Sequence, residues 1–283
     1  MSKESPFTVD ADWLEAKLGS PGISIVDASW YLPAQNRDAR AEYEAAHIPG
    51  AVFFDQDQVV DAEASLPHTF PPADVFAKHA GAMGISADDT IVVYDGPGMF
   101  SAPRVWWMFR TMGIYQVYLL DGGFDGWKAA GKKTTSEQTK IAPCVFHVNF
   151  DAERVASLDD MRQTVASGDA QILDARPAGR FAGTDPEPRA GVRSGHMPGA
   201  KSIPASSLSE NGKLLPPERL RAIFDKAGVD LNRPAVTSCG SGVTAAVITL
   251  ALETVGHSNN RLYDGSWTEW GGLTDTPVIT GKD

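Results

Sequence analysis

The stretch P-A-V-T-S-C-G-S-G-V-T-A-A-V-I-T-L-A-L-E, residues 234–253, runs a β-branched segment through a glycine-punctuated loop into a helical segment. Its first five residues predict a strand ending at Cys239. Thr244 to Val255 reads as a helix, with Gly256 as its stop. A strand that turns directly into a helix is one step of a mainly parallel α/β sheet, and ligands bind at the carboxyl edge of such sheets. Gly240 and Gly242 allow the loop to curl so that backbone N–H groups converge, and the helix adds its positive end. A sulfur at the centre meets donors that favour its anion, which lowers a thiol pKa. Cys239 is therefore a candidate nucleophile. Gly240, Gly242, Val243 and Thr244 are expected to wrap the anion, and Ser241 adds a hydroxyl.

Outward from this stretch, the same order of signals occurs twice. I-S-I-V-D-A at 23–28 pairs with A-Q-I-L-D-A at 170–175, and A-H-I-P-G-A at 46–51 with G-H-M-P-G-A at 195–200. T-I-V-V-Y-D-G at 90–96 pairs with P-A-V-T-S-C-G at 234–240, and D-G-G-F-D-G-W at 121–127 with D-G-S-W-T-E-W at 264–270. The offsets are 147, 149, 144 and 143 residues, which marks a tandem duplication. The expected organisation is a first domain at 1–135, a linker at 136–156 and a second domain at 157–283, each a mainly parallel sheet with helices on both faces. Pro103 to Met112 predicts a helix stopped by Gly113, and Cys144 to Phe150 is a candidate crossing strand. His47 and His196 recur in both halves before Pro-Gly turns, so a fold-supporting role is expected of them. Trp106, Trp107, Trp267 and Trp270 are expected in the core.

The bulk composition narrows the function. Of 283 residues, 42% are hydrophobic and 22% charged, as in a globular protein, and no apolar run is long enough for a membrane span. The net charge of −11 argues against nucleic acid as partner, and any bound anion must be held by a local site. Two cysteines, Cys144 and Cys239, offer neither a disulfide framework nor metal-ligand spacing. No cofactor is indicated. The start, M-S-K-E-S-P-F-T-V-D, shows no signal-peptide pattern, which favours the cytoplasm. Cys144 is expected to be structural.

C-G-S-G-V-T-A resembles the active loop of the 3-mercaptopyruvate sulfurtransferases, relatives of the rhodaneses. The resemblance covers essentially the whole chain, through H-I-P-G-A, H-M-P-G-A, F-S-A-P-R-V-W-W-M-F-R and L-Y-D-G-S-W-T-E-W. It implies two rhodanese-like domains with only the second catalytic. Asp95 stands at the first-half position of Cys239 and cannot carry sulfur. It also implies a persulfide on Cys239, 3-mercaptopyruvate as a 2-oxo acid sulfur donor that leaves as pyruvate, and as acceptor either cyanide or a thiol such as that of thioredoxin.

Rhodaneses preferring thiosulfate typically carry basic residues directly after the cysteine, where this chain has Gly240 and Ser241. Its arginines lie in D-A-R-P-A-G-R-F-A-G-T-D-P-E-P-R-A-G-V-R instead. Gly183, Pro186 and Pro188 forbid a regular helix between Arg180 and Arg189, so both side chains can converge on one carboxylate. The alternative for these arginines is ion pairing with Asp185 and Glu187. Arg176 and Arg193 are weaker candidates. The resemblance also implies a proton relay of Asp57, His68 and Ser241, although His68 by itself reads as a loop histidine. A phosphatase of the Cys-x5-Arg type is disfavoured because Ala245 stands at the arginine position. Thiosulfate sulfurtransfer and a non-catalytic binding module remain as alternatives.

Overall fold

The computed structural model describes residues 4–281, so the extreme ends of both expected domains, 1–3 and 282–283, lie outside the described residues. The strands are β1 (Thr8–Val9), β2 (Ile23–Asp27), β3 (Ala51–Phe53), β4 (Thr90–Tyr94), β5 (Val117–Leu120), β6 (Val155–Ala156), β7 (Gln171–Asp174), β8 (Ala200–Ser202), β9 (Ser209–Glu210), β10 (Lys213–Leu214), β11 (Ala235–Ser238) and β12 (Asn260–Tyr263). The first half forms a parallel sheet in the order β1-β5-β4-β2-β3, and the second forms another in the order β6-β12-β11-β7-β8. The two orders superpose strand for strand. Register agrees as well: Asp27 pairs with Tyr94 as Asp174 pairs with Ser238. The antiparallel hairpin β9–β10 is an insertion in the second half.

The first half carries helices α1 (Ala11–Glu15), α2 (Ala39–Ala45), α3 (Ala73–Ala82), α4 (Ala102–Thr111) and α5 (Gly123–Ala129). The second carries α6 (Leu158–Ser167), α7 (Ala178–Ala182), α8 (Pro217–Lys226), α9 (Ala245–Thr254) and α10 (Ser266–Trp270). Helix α4 has Pro103 in its first turn and Gly113 at φ +92° beyond its end, the stop its sequence predicts. Helix α9 ends the same way at Gly256, with φ +89°. Every residue of α9 from Ala245 to Glu253 is buried, and α4 is buried from Ala102 to Phe109. Such all-round burial has a cause: these two helices pack against each other at the junction of the halves. Val105, Phe109, Ile248 and Leu252 thereby join one apolar core that runs across both sheets.

The candidate crossing strand does not form. Residues 144–150 form no strand and join no ladder. Cys144 donates its N–H to Gly81 O (3.0 Å) and Asn149 donates to Met112 O (2.9 Å), so the segment caps the ends of α3 and α4 instead of a sheet edge. Phe146 anchors it between Phe76 and Phe109. His47 and His196 do the same job in each half. Each is buried, shares Nδ1 with a backbone oxygen (Tyr43 O at 2.7 Å, Phe181 O at 2.8 Å) and stacks on that residue's ring. Trp106, Trp107, Trp267 and Trp270 are fully buried.

Candidate active site

Strand β11 delivers Cys239 to the carboxyl edge, where the thiol is 2% exposed at the floor of a cavity of about 390 Å³ between the two halves. The rest of the turn to α9 forms one wall through Gly240, Ser241, Val243 and Thr244. Trp30, Tyr31, Met99 and Phe100 form an apolar wall from the first half, and Arg180 and Arg189 close a third side.

The first half shows what such a turn holds. Asp95, fully buried, accepts N–H bonds from Gly98 (2.6 Å), Phe100 (3.0 Å), Ser101 (2.6 Å) and Ala102 (2.7 Å). Burial pushes its carboxyl above the ordinary range while these four N–H groups pull it back. A short side chain capable of negative charge therefore sits in the ring of N–H donors at the start of α4. Cys239 starts the corresponding turn of the second half. Among the described residues, the N–H groups of Gly240, Ser241, Val243, Thr244 and Ala245 have no protein acceptor.

One donor expected to face the sulfur, Gly242, is turned away. The N–H groups of Cys239 and Gly242 both donate to Ser266 Oγ at 3.1 Å, and that hydroxyl donates to Tyr263 O at 2.8 Å. Gly242 is thus a hinge, not a ligand donor: its φ is +78°, and a Cβ there would stand 2.9 Å from Asp264 O. The glycine at 240 has a different reason. A Cβ there would meet Arg180 Nη2 at 3.2 Å, so the missing side chain lets the guanidinium lie over the loop.

Arg180, on α7, is held by Glu187, which accepts from Nε (3.2 Å to each oxygen) and Nη2 (2.5 Å). Glu187 also accepts from Arg176 Nη1 at 2.8 Å. Arg176 is locked further by Asp174 and Gly195 O, with its guanidinium 4.2 Å from the Trp267 ring, which is a structural role. Arg189 has only Thr268 Oγ1 at 3.3 Å among the described residues and no carboxylate partner. Arg180 and Arg189 thus face one cavity, and the expected ion pairing is with Glu187, not Asp185. Arg193 instead ties Gly271 O, Trp270 O and Thr276 together.

Asp57, His68 and Ser241 form a continuous chain. Ser241 Oγ lies 3.0 Å from His68 Nδ1, and His68 Nε2 lies 3.0 Å from Asp57 Oδ1. With Asp57 ionised, Nε2–H donates to the carboxylate, which leaves Nδ1 to accept from the Ser241 hydroxyl. The bond to His68 holds the Asp57 carboxyl below its usual range, with help from Trp30 Nε1, 3.2 Å from both its oxygens. His68 adopts φ +58°, a conformation that costs a non-glycine residue on the order of 1–3 kcal/mol unless its surroundings fix it. Arg104 does so. From the buried α4 it donates to His68 O (2.7 Å), Asp264 Oδ1 (2.6 Å) and Gly242 O (3.4 Å). Sequence reasoning missed Arg104, Asp264 and Ser266, and offered Glu187 only as an alternative ion-pair partner. Each of the three acts through a contact distant in the chain; the only local signal was that all three fall within long matched motifs.

The rhodanese-like domain model matches residues 10–130 and 157–273, which together cover most of the chain. The chain belongs to the rhodanese family. It is 41% identical to the Arabidopsis thaliana mitochondrial thiosulfate/3-mercaptopyruvate sulfurtransferase 1, covering 95% of this chain and 77% of that one. Identity to the human 3-mercaptopyruvate sulfurtransferase is 42%, covering 93% of this chain and 91% of the relative. Among solved structures, SseA of Escherichia coli, described as a 3-mercaptopyruvate sulfotransferase, matches with a TM-score of 0.86 at 40% identity, over 92% of this chain and 98% of that one. Like these relatives, this rhodanese is a sulfurtransferase. One relative's name carries both donors, so overall identity does not choose between them. The residues around Cys239 must.

Proposed function

We propose that this rhodanese takes sulfur from 3-mercaptopyruvate, carries it as a persulfide on Cys239, releases pyruvate, and passes the sulfur to a thiol. The observation that carries the donor assignment is the Asp57–His68–Ser241 chain, which ends two residues from the nucleophile. Thiosulfate leaves as sulfite and needs no proton. 3-Mercaptopyruvate brings a thiol proton, and its leaving group is a carbanion that must be protonated.

Arg180 and Arg189 hold the 2-oxo acid carboxylate and its keto oxygen. The Cys239 thiolate attacks the donor sulfur, forming the S–S bond while the C–S bond breaks. The electron pair of that bond goes to the enolate of pyruvate. The donor's thiol proton passes to Ser241 and His68 and returns to the enolate, with Asp57 stabilising the charged imidazole between the two transfers. The new outer sulfur carries the negative charge and reaches about as far from the backbone as the Asp95 carboxylate does, into the free N–H groups of Thr244 and Ala245. A thiolate then attacks that outer sulfur and restores the Cys239 thiolate. Thioredoxin is the proposed physiological thiol, since its exposed low-pKa cysteine suits this exchange. Two unpaired cysteines support a reducing compartment, for which we propose the cytoplasm. Among the described residues no helix is long and apolar enough to cross a membrane.

The test is a mass measurement with a donor comparison. Incubation with 3-mercaptopyruvate adds one sulfur atom to the protein, and Cys239→Ser does not gain it. Ser241→Ala and His68→Ala each lower kcat with 3-mercaptopyruvate by on the order of a hundredfold, as removal of general acid–base help does, and lower it far less with thiosulfate. Label on Cys144, or equal losses on both donors, defeats the reading.

A further inference from the structure

The two halves differ at a second matched position, and the difference leaves a cavity. In the second half Asp174, at the end of β7, accepts Arg176 N–H at 2.9 Å and then grips the Arg176 guanidinium, which also reaches Glu187 and stacks over Trp267. In the first half Asp27 ends β2 in the same register and accepts Ser29 N–H at the same 2.9 Å. The arginine is replaced by Ser29. Phe124 takes the place of Trp267, since its N–H bonds Asp95 O as that of Trp267 bonds Cys239 O. Glu42 takes the part of Glu187 and holds Arg37 through Nε (2.8 Å) and Nη2 (2.5 Å), as Glu187 holds Arg180. Lys128 places its ammonium 4.8 Å from the Phe124 ring, but among the described residues no cation takes the place of the Arg176 guanidinium on Asp27. A cavity of about 220 Å³ opens there, lined by Asp27, Ser29, Glu42, Tyr43 and Phe124. That is far more than the roughly 10–15 Å³ one water requires.

Asp27 is 3% exposed and lines this space, so a buried carboxylate faces a void without the cation its counterpart grips. The lining carries Asp27, Glu42 and Asp125 against Arg37 and Lys128, one negative charge in excess. Arg37 is neutralised by Glu42 and Lys128 by Asp125 at 2.9 Å, so the excess rests on Asp27. We propose that this first-half cavity is a binding site for a small guanidinium-bearing cation, seated on Asp27 as Arg176 is seated on Asp174. The planar fork is the chemistry that two carboxylates lining one cavity select, and among the described residues no side chain supplies it to Asp27.

Burial pushes the Asp27 carboxyl up to about 6, against hydrogen bonds from Ser29 and Tyr94 and with a further push from nearby Asp95. The other groups facing it are Tyr31, Arg37, Glu42, Tyr43, Asp125 and Lys128. Burial holds the three tyrosines protonated beyond their usual range, and Arg37 holds Glu42 ionised below its own. A cation binds the ionised form of Asp27, so affinity falls as the pH drops through about 6.

The experiment is an amide NMR titration of the intact protein with methylguanidinium chloride, against methylammonium chloride and sodium chloride at equal ionic strength. Saturable shifts at Ser29, Gly96 and Phe124 with methylguanidinium alone support the site. Asp27→Asn weakens binding about tenfold or more, and Ser29→Arg abolishes it by supplying the guanidinium from within. If either variant loses its fold by circular dichroism, the wild-type protein decides: affinity falls about tenfold between about pH 8 and about pH 5. Non-saturating shifts, equal shifts with methylammonium, or a pH-independent affinity overturns the proposal.

Discussion

Gly240 lacks a side chain because Arg180 lies across it, and Arg180 lies there because Glu187 grips it from the other side. The guanidinium therefore has little freedom to give way. Gly240→Ala pushes Arg180 off the loop and raises KM for 3-mercaptopyruvate by a few-fold with a smaller change in kcat. Arg180→Ala or Arg189→Ala removes a charged hydrogen bond, each of about 1.5–3 kcal/mol, and lowers kcat/KM by on the order of tenfold or more. Steady-state kinetics on the three variants checks this, and unchanged values place the carboxylate elsewhere. Cys239 and the two arginines stand out by a local signal, in short motifs whose spacing survives in one dimension, whereas the relay came only through the family resemblance, because His68 and Ser241 meet across 173 residues. Glu187 read only as an alternative partner for arginine. The role of Ser266 did not read, since it arises where β12 returns beside β11, 27 residues after Cys239.

At the scale of elements, α4 and α9 were bounded to within one residue at each end by Pro103, Gly113, Gly256 and their apolar runs, yet nothing in either run showed that they pack on each other. That contact gives Arg104 its reach. One guanidinium on a first-half helix ties the backbone of His68 to Asp264 and to the catalytic loop. Arg104 is thereby a positioning residue for the relay, without itself touching Ser241 or Cys239. Arg104→Met strands Asp264, whose Oδ2 still accepts from Phe70 N–H, and removes a buried pair of the kind whose one-sided loss costs about 3–5 kcal/mol. His68 is then free to leave φ +58°. The expected result is a lower melting temperature together with a kcat loss larger for 3-mercaptopyruvate than for thiosulfate. Arg104→Lys keeps the charge but not the fork, and recovers stability more than the donor-specific rate. A uniform loss on both donors assigns Arg104 to folding alone.

For the whole molecule the decisive question is how two similar halves are held in one geometry, since the relay begins in the first and ends in the second. Glu253, on the buried α9, answers part of it. Its two oxygens accept from Arg110 Nη2 on α4 (3.0 Å) and from Arg154 Nη2 just before β6 (2.5 Å), and all three side chains are largely buried. Burial pulls the Arg110 guanidinium below its usual range, opposed by the Glu253 charge, so the carboxylate keeps both cations tolerable at the junction. Glu253→Gln leaves two guanidinium groups facing each other with no counter-ion. A loss of about 3–5 kcal/mol follows, which at about 2–4 °C per kcal/mol lowers the melting temperature by roughly 6–20 °C. Because α4 and α9 share one apolar core, the variant still melts in a single calorimetric transition, and its kcat with 3-mercaptopyruvate falls more than with thiosulfate as His68 and Ser241 drift apart. Two separated transitions would mean that the halves are independent units joined by this one cluster, and the relay would then owe its 3.0 Å contact to Glu253 more than to the packed helices.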